Sequence, residues 1–225
     1  MRRLLAEHRC PGCEIRKDLC FCAEIPRVEL QTQVILLMHT AEEVLTSNTA
    51  RLTAQALANC ELRIRGRKDA PMSPAGLQRD DRCSLLLYPS PHAAELNAEF
   101  VAGLTKPAVL IVPDGSWVQT KRFVRRDPAF VGMQHVKLPP GPPSIYRLRR
   151  QVDTLGLCTL EAVARALGIL ESPAAQAQLE RLLLVMVERT LWSRGALKTA
   201  DSKTGIPSEA LALRARSSRH DPIAD

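Results

Sequence analysis

The run Ala108-Val109-Leu110-Ile111-Val112 passes directly into Pro113-Asp114-Gly115-Ser116-Trp117, and that junction restricts the chain to few architectures. Five apolar residues, three of them β-branched, read as a strand buried on both faces, as in parallel sheets. An Asp-Gly turn follows, and Gln119-Thr120-Lys121-Arg122 opens a helix. In open α/β sheets ligands bind beyond the carboxyl ends of the strands. Asp114, Ser116 and Trp117 are therefore gathered where chemistry tends to occur. The same residues also describe an ordinary turn in which Ser116 caps the helix. Spacing alone does not choose between the two.

Other apolar runs repeat the pattern. Gln33–His39 and Ser84–Tyr88 read as buried strands, and Gln134–Leu138 as a shorter one closed by Pro139-Pro140-Gly141-Pro142-Pro143. Helices are predicted over Ala50–Ala58, capped by Ser47 or Asn48, and over Ala93–Leu104. Residues 61–82 read as a strand edge and a loop. Cys158 or Thr159 starts a further helix with Glu161 in its first turn, where the helix dipole favours a carboxylate. Ser172-Pro173 opens the last long helix, which closes near Gly195. Strands alternating with helices indicate an α/β fold with a mostly parallel sheet flanked by helices. The expected division is a knuckle over 1–27, a main domain over 28–195 and a flexible polar tail over 196–225.

Neither G-x-G-x-x-G nor G-x-x-x-x-G-K-[ST] occurs, which excludes a Rossmann fingerprint and a P-loop. The candidate sites are instead three strand ends: Tyr88-Pro89-Ser90, the Asp114 junction, and the stretch after Leu138. His39 ends a strand too, a position where a hydrogen-bonded structural histidine is the commoner case. Ser47, Asn48 and Thr49 suit a helix cap and, equally, a cradle for a phosphate or carboxylate.

The net charge of +7 is concentrated rather than spread. Between Gln119 and Arg150 lie Lys121, Arg122, Arg125, Arg126, Lys137, Arg147, Arg149 and Arg150 against the single acid Asp127. A local cationic excess beside a ligand site points to a polyanion, most simply nucleic acid. The alternative is a solvated basic face. No apolar stretch is long enough to span a membrane or to follow the basic N-terminus as a signal, so a cytoplasmic protein is expected.

Seven cysteines are present, four of them as Cys10-x2-Cys13-x6-Cys20-x-Cys22. Two thiolate pairs on short loops can close on one tetrahedral Zn²⁺ with no open position for water, so the expected role is structural. A redox C-x-x-C is the rival, but no strand precedes it. Cys60, Cys83 and Cys158 read as small buried side chains.

Five pieces occur in order: the cysteine quartet; His39-x-x-Glu42 leading to Ser47-Asn48-Thr49; Asp114-x-Ser116-Trp117; Tyr146-Arg147-Leu148-Arg149; and Thr159-Leu160-Glu161-Ala162. Together, over Cys10 to Leu191, they resemble the DTW-domain family of tRNA-uridine aminocarboxypropyltransferases. The chain departs from the family's name motif in carrying Ser116 where the family has Thr, which keeps the hydroxyl and loses a methyl. The resemblance implies a SPOUT-like fold with a C-terminal trefoil knot. It also implies transfer of the 3-amino-3-carboxypropyl group of S-adenosylmethionine to N3 of a tRNA uridine, at variable-loop position 47, with release of 5′-methylthioadenosine.

On that resemblance Asp114 is the base, with Ser116 and Trp117 beside it. Its pKa would have to be raised, by burial next to Trp117. Leu87, Tyr88, Pro89, Ser90, Pro113, Gly115, Tyr146, Arg147, Cys158, Thr159 and Glu161 would hold S-adenosylmethionine. His39, Glu42, Ser47, Asn48, Thr49, Lys121, Arg122, Arg125, Arg126 and Arg149 would face the RNA. Arg147 or Arg149 would meet the methionine carboxylate or a phosphate. A monomer is expected. Two other classes stay open: a SPOUT-type RNA methyltransferase releasing S-adenosylhomocysteine, and a non-catalytic zinc-containing RNA-binding protein.

Overall fold

A computed structural model describes residues 7–149 and 156–217. The chain divides into two compact units, one of Met1–Ile25, Ile145–Arg150 and Leu182–Asp225, the other of Pro26–Ser144 and Gln151–Arg181.

The larger unit is built on six strands: β1 (Gln33–His39), β2 (Cys60–Arg65), β3 (Cys83–Leu87), β4 (Ala94–Glu95), β5 (Ala108–Asp114) and β6 (Gln134–Lys137). They form one sheet in the order β2-β1-β5-β3-β6-β4, and every paired strand is parallel to its neighbour. The helices are α1 (Thr49–Ala56), α2 (Ala98–Ala102), α3 (Trp117–Arg126) and α4 (Thr159–Leu170); α5 (Pro173–Ser193) belongs to the larger unit up to Arg181 and to the smaller from Leu182, and α6 (Ser208–Ser217) belongs to the smaller. The expected parallel α/β architecture is therefore present. The C-terminal knot that the resemblance implies is not shown, and residues 150–155 lie outside the described residues.

The central strands are apolar without alternation because both faces are covered. Ile35, Leu37, Leu86, Val109 and Ile111 share one face with Phe123 of α3, Phe130 and Met133. Val34, Leu36, Leu110 and Val112 point the other way and are equally buried. On the helical side, α4 packs on β5 and on α1, and α1 packs on β1 and β2.

The winding places a crevice. From β1 the chain crosses through α1 to β2, on one side; from β5 it crosses through α3 to β6, on the other. Right-handed crossovers in opposite directions put their helices on opposite faces. The adjacent carboxyl ends of β1 and β5 thus flank the point where the order reverses, the preferred ligand position in such sheets. Asp114 lies there, registered against Met38 and one residue from the level of His39.

One expected helix is shorter than its apolar pattern suggests. Instead of running from Ala93 to Leu104, the segment adds the edge strand β4, and Leu96 donates to the Lys137 carbonyl. The helix begins only after Asn97, whose side chain accepts from the Phe100 amide. An Asn cap competes with helix continuation, and the parallel pairing with β6 supplies alternative backbone partners.

In the smaller unit Leu19 and Phe21 are fully buried. The buried Arg189 of α5 donates to the Leu19 and Cys20 carbonyls at 3.3 and 2.6 Å and pairs with Glu24. The polar run beyond 196, expected to be a flexible tail, takes up structure instead. Trp192 Nε1 donates to Thr199, and the Arg214 guanidinium lies 4.7 Å from the Trp192 ring centre. Glu188 accepts from Ser202 Oγ, Lys203 N, Thr204 N and Thr204 Oγ1, at 2.7 to 3.0 Å. Composition hides this because the partner carboxylate is on a different element. Residues 218–225 and 1–6 lie outside the described residues.

Burial pushes the Glu188 carboxyl up, but the donors, led by the Lys203 amide, outweigh it and hold it below the ordinary value. A depressed carboxyl contributes stability above its unfolded pKa, and that contribution is lost as pH falls through the folded value. Protection of the Lys203 and Thr204 amides, taken relative to their intrinsic exchange rates, should accordingly fall in acid. Glu188→Ala should give the same loss of protection at neutral pH. Equal exchange in both proteins at neutral pH would show that Glu188 does not hold this segment.

Candidate active site at the sheet crevice

Asp114, 9% exposed, is the last residue of β5. Its Oδ2 accepts from Asn48 Nδ2 at 2.8 Å, and its Oδ1 accepts from the Thr159 hydroxyl. Asn48 is the cap of α1, its Oδ1 accepting from Arg51 N at 3.0 Å. Thr159 is the first residue of α4, whose cap is Cys158. The positive ends of two helices therefore converge on one carboxylate. They also touch each other, through the Leu160 amide and Thr49 Oγ1 at 3.4 Å.

A second buried carboxylate, Glu42, accepts from the same Asn48 Nδ2 at 3.3 Å. The loop between them is tied down by Arg51, which donates to the Glu43 and Leu45 carbonyls. His39 Nδ1 accepts from Ala41 N at 3.1 Å, so the neutral ring carries its proton on Nε2. Gly115 lets the chain pass close to its neighbours, since a Cβ there would stand 3.1 Å from Gln119 Oε1 and 3.3 Å from His39 Cβ. On α4 the buried Glu161 accepts from Ser144 Oγ at 2.6 Å and from the Cys158 amide at 3.1 Å. Burial raises the Cys158 thiol, and raises Cys60 to about 12, so both are inert thiols.

Ser116 caps α3 through Gln119, reciprocated by the Gln119 side chain on the Ser116 amide. The turn reading of this serine is thus realised, while Asp114 beside it belongs to the buried network. Trp117 is 49% exposed, and Asn48 and Thr159 both donate to the Asp114 carboxylate. Lys121, Arg122, Arg125 and Arg126 are all exposed on α3, while Phe123 faces the core with Arg65 stacked 3.1 Å from its ring centre.

At the end of β3, Leu87 is buried and Pro89 is exposed. Ser90 Oγ and His135 Nδ1 are 3.0 Å apart, and Tyr88 meets the His135 ring edge-on at 6.4 Å. Burial depresses the imidazole, helped by His92, and raises the Tyr88 phenol. His135 was not a sequence candidate, and a single histidine inside a short apolar strand carries no signal of its own. Tyr146 (buried), Arg147 (exposed) and Arg149 (half-buried) belong to the smaller unit, and Arg150 lies outside the described residues.

Also in the smaller unit, the four sulfurs of Cys10, Cys13, Cys20 and Cys22 lie within 4.8 Å of one another. Cys10 is 3.4 Å from Cys22 and from Cys20, and Cys13 is 3.7 Å from Cys20. A tetrahedral zinc with bonds of about 2.3 Å needs sulfurs about 3.8 Å apart, so the set fits the ion. A Cβ on Gly12 would come within 2.7 Å of the Cys22 sulfur, so only glycine leaves the cage closed. Amide donation, first from Cys13, brings the Cys10 thiol to about 6, while burial pushes Cys22 up.

Fold and site define a doubly wound α/β protein with a buried carboxylate at its switch point and a basic helix leading away from it. The DTW domain model matches residues 7–191, and the chain belongs to that family. A Drosophila melanogaster protein named tRNA-uridine aminocarboxypropyltransferase 2 is 32% identical over 171 residues, 73% of this chain and 67% of that one. A Macaca fascicularis protein of the same name is 31% identical over 168 residues, 72% of this chain but 56% of its own length. The chain thus spans between about half and two thirds of these relatives. The SAM-dependent rRNA:acp-transferase Tsr3 from Vulcanisaeta distributa aligns over 84% of this chain and 90% of its own, with a TM-score of 0.48 and 17% identity.

Proposed function

We propose that this protein transfers the 3-amino-3-carboxypropyl group of S-adenosylmethionine to N3 of a tRNA uridine, the variable-loop uridine by family analogy, and releases 5′-methylthioadenosine. The observation that carries the reading is Asp114, a buried carboxylate oriented by two helix caps at the sheet's switch point. Family membership and the names of the relatives support the same reaction.

The uridine N3–H proton passes to a carboxylate oxygen of Asp114. The N3 electron pair then forms a bond to the methionine Cγ, while the Cγ–S bond breaks and its electrons neutralise the sulfonium. Asn48 and Thr159 donate to different oxygens of the carboxylate, which fixes its orientation. Burial excludes bulk water, which would otherwise compete for the proton. Trp117, three residues beyond Asp114 and half exposed, offers an aromatic ring suited to stacking on a base. Zn²⁺ on Cys10, Cys13, Cys20 and Cys22 has a structural part only, since four thiolates leave no open position.

Helix α3 is the RNA contact in this reading. Lys121 and Arg125, and likewise Arg122 and Arg126, are one turn apart on an exposed face. Reversing Arg125 and Arg126 to Glu should weaken tRNA binding at least about tenfold at moderate salt and flatten its salt dependence. Affinity for S-adenosylmethionine should not move. Unchanged tRNA affinity in a filter-binding titration would put the footprint elsewhere.

A further inference from the structure

Asn48 makes three contacts at once. Its carbonyl oxygen accepts from Arg51 N, which turns the NH₂ end toward Asp114 and Glu42. That orientation suits carboxylate partners, whose oxygens accept. At 5% exposure, with donors to two carboxylates, the side chain is not an interchangeable cap. A Ser or Asp would cap α1 as well, but neither offers an uncharged donor of this reach.

We propose that Asn48 is a positioning residue for the reaction: its amide holds the Asp114 carboxylate in the direction that meets the uridine N3–H, with Thr159 fixing the other oxygen. The role rests on the proposed reading of Asp114 as the base. Asn48 also separates two buried carboxylates, Asp114 and Glu42, by standing between them. Other ionisable groups around Asp114 are His39 at the end of β1, Cys158 at the cap of α4 and Glu161 in its first turn. Glu161 is occupied by Ser144 and the Cys158 amide, and Arg51 by two loop carbonyls.

The discriminating variant is Asn48→Asp, which keeps the α1 cap and removes the neutral donor. While the introduced carboxyl is protonated it can donate to Asp114 much as the amide did. Once ionised it repels Asp114 across a contact of 2.8 Å and faces Glu42 as well. Turnover of the wild-type protein should rise with pH as Asp114 ionises, then level off. The variant should instead pass through a maximum and fall on the alkaline side. Asn48→Ser, which caps without adding charge, should lower kcat by about ten- to a hundredfold with KM for both substrates nearly unchanged.

A residue acting only as a cap predicts the wild-type pH profile for Asn48→Asp, and that result would overturn the proposal while leaving the reaction intact. A rise in KM matching the fall in kcat/KM for Asn48→Ser would make Asn48 a ligand-binding residue and overturn it too. Absence of methylthioadenosine formation by the wild-type protein with tRNA would instead remove the parent reading, and the positioning role with it. If Asn48→Asp is poorly folded, Asn48→Ser alone decides through its kcat and KM.

Discussion

Asp114→Asn should lower turnover by about 10²–10⁴, the usual worth of a positioned general base. The substitution conserves size and allows the network to survive. The new amide oxygen can accept from Asn48, and the new NH₂ can donate to the Thr159 hydroxyl, itself able to accept. Folding and affinity for both substrates should therefore hold. Raising the pH should restore part of the rate, because solvent then deprotonates more uridine N3. A loss of S-adenosylmethionine affinity as large as the loss of turnover would make Asp114 a ligand rather than a base. Near-normal turnover would return it to the role of a structural turn residue.

The second large effect is expected at the cysteine cage. Purified protein should carry one zinc per chain, and Cys13→Ala should lose it. Structural zinc binding in small modules amounts to about 10–16 kcal/mol apparent at neutral pH, so removal should unfold the knuckle rather than loosen it. The readout is metal content together with proteolysis between residues 7 and 25. Gly12→Ala tests the same cage by steric means, since its Cβ would meet the Cys22 sulfur. Protein with well under one zinc and undiminished protease resistance would contradict the assignment.

Most of the sheet was legible because buried parallel strands write themselves as continuous apolar runs. Gln33–His39, Cys83–Leu87 and Ala108–Asp114 all follow that rule. The two-residue β4 escaped it, because Ala94-Glu95 has too little sequence to show a period and exists through its pairing with β6. The folded stretch after 196 escaped for a related reason: its hydrogen-bond partner, Glu188, belongs to α5. At the site, the motif residues were each visible, but their association was not. Asn48, Asp114 and Thr159 are separated by 66 and 45 residues, and only the winding brings them onto one carboxylate.

The reaction itself is tested most directly by its products. Purified protein, S-adenosylmethionine and tRNA should yield 5′-methylthioadenosine in step with an aminocarboxypropyl group on a uridine, both detected by mass spectrometry of the small molecules and of the digested tRNA. S-adenosylhomocysteine with a methylated nucleoside would contradict the account and identify a methyltransferase. Neither product, in zinc-loaded protein that binds both substrates, would leave an RNA-binding protein without this chemistry.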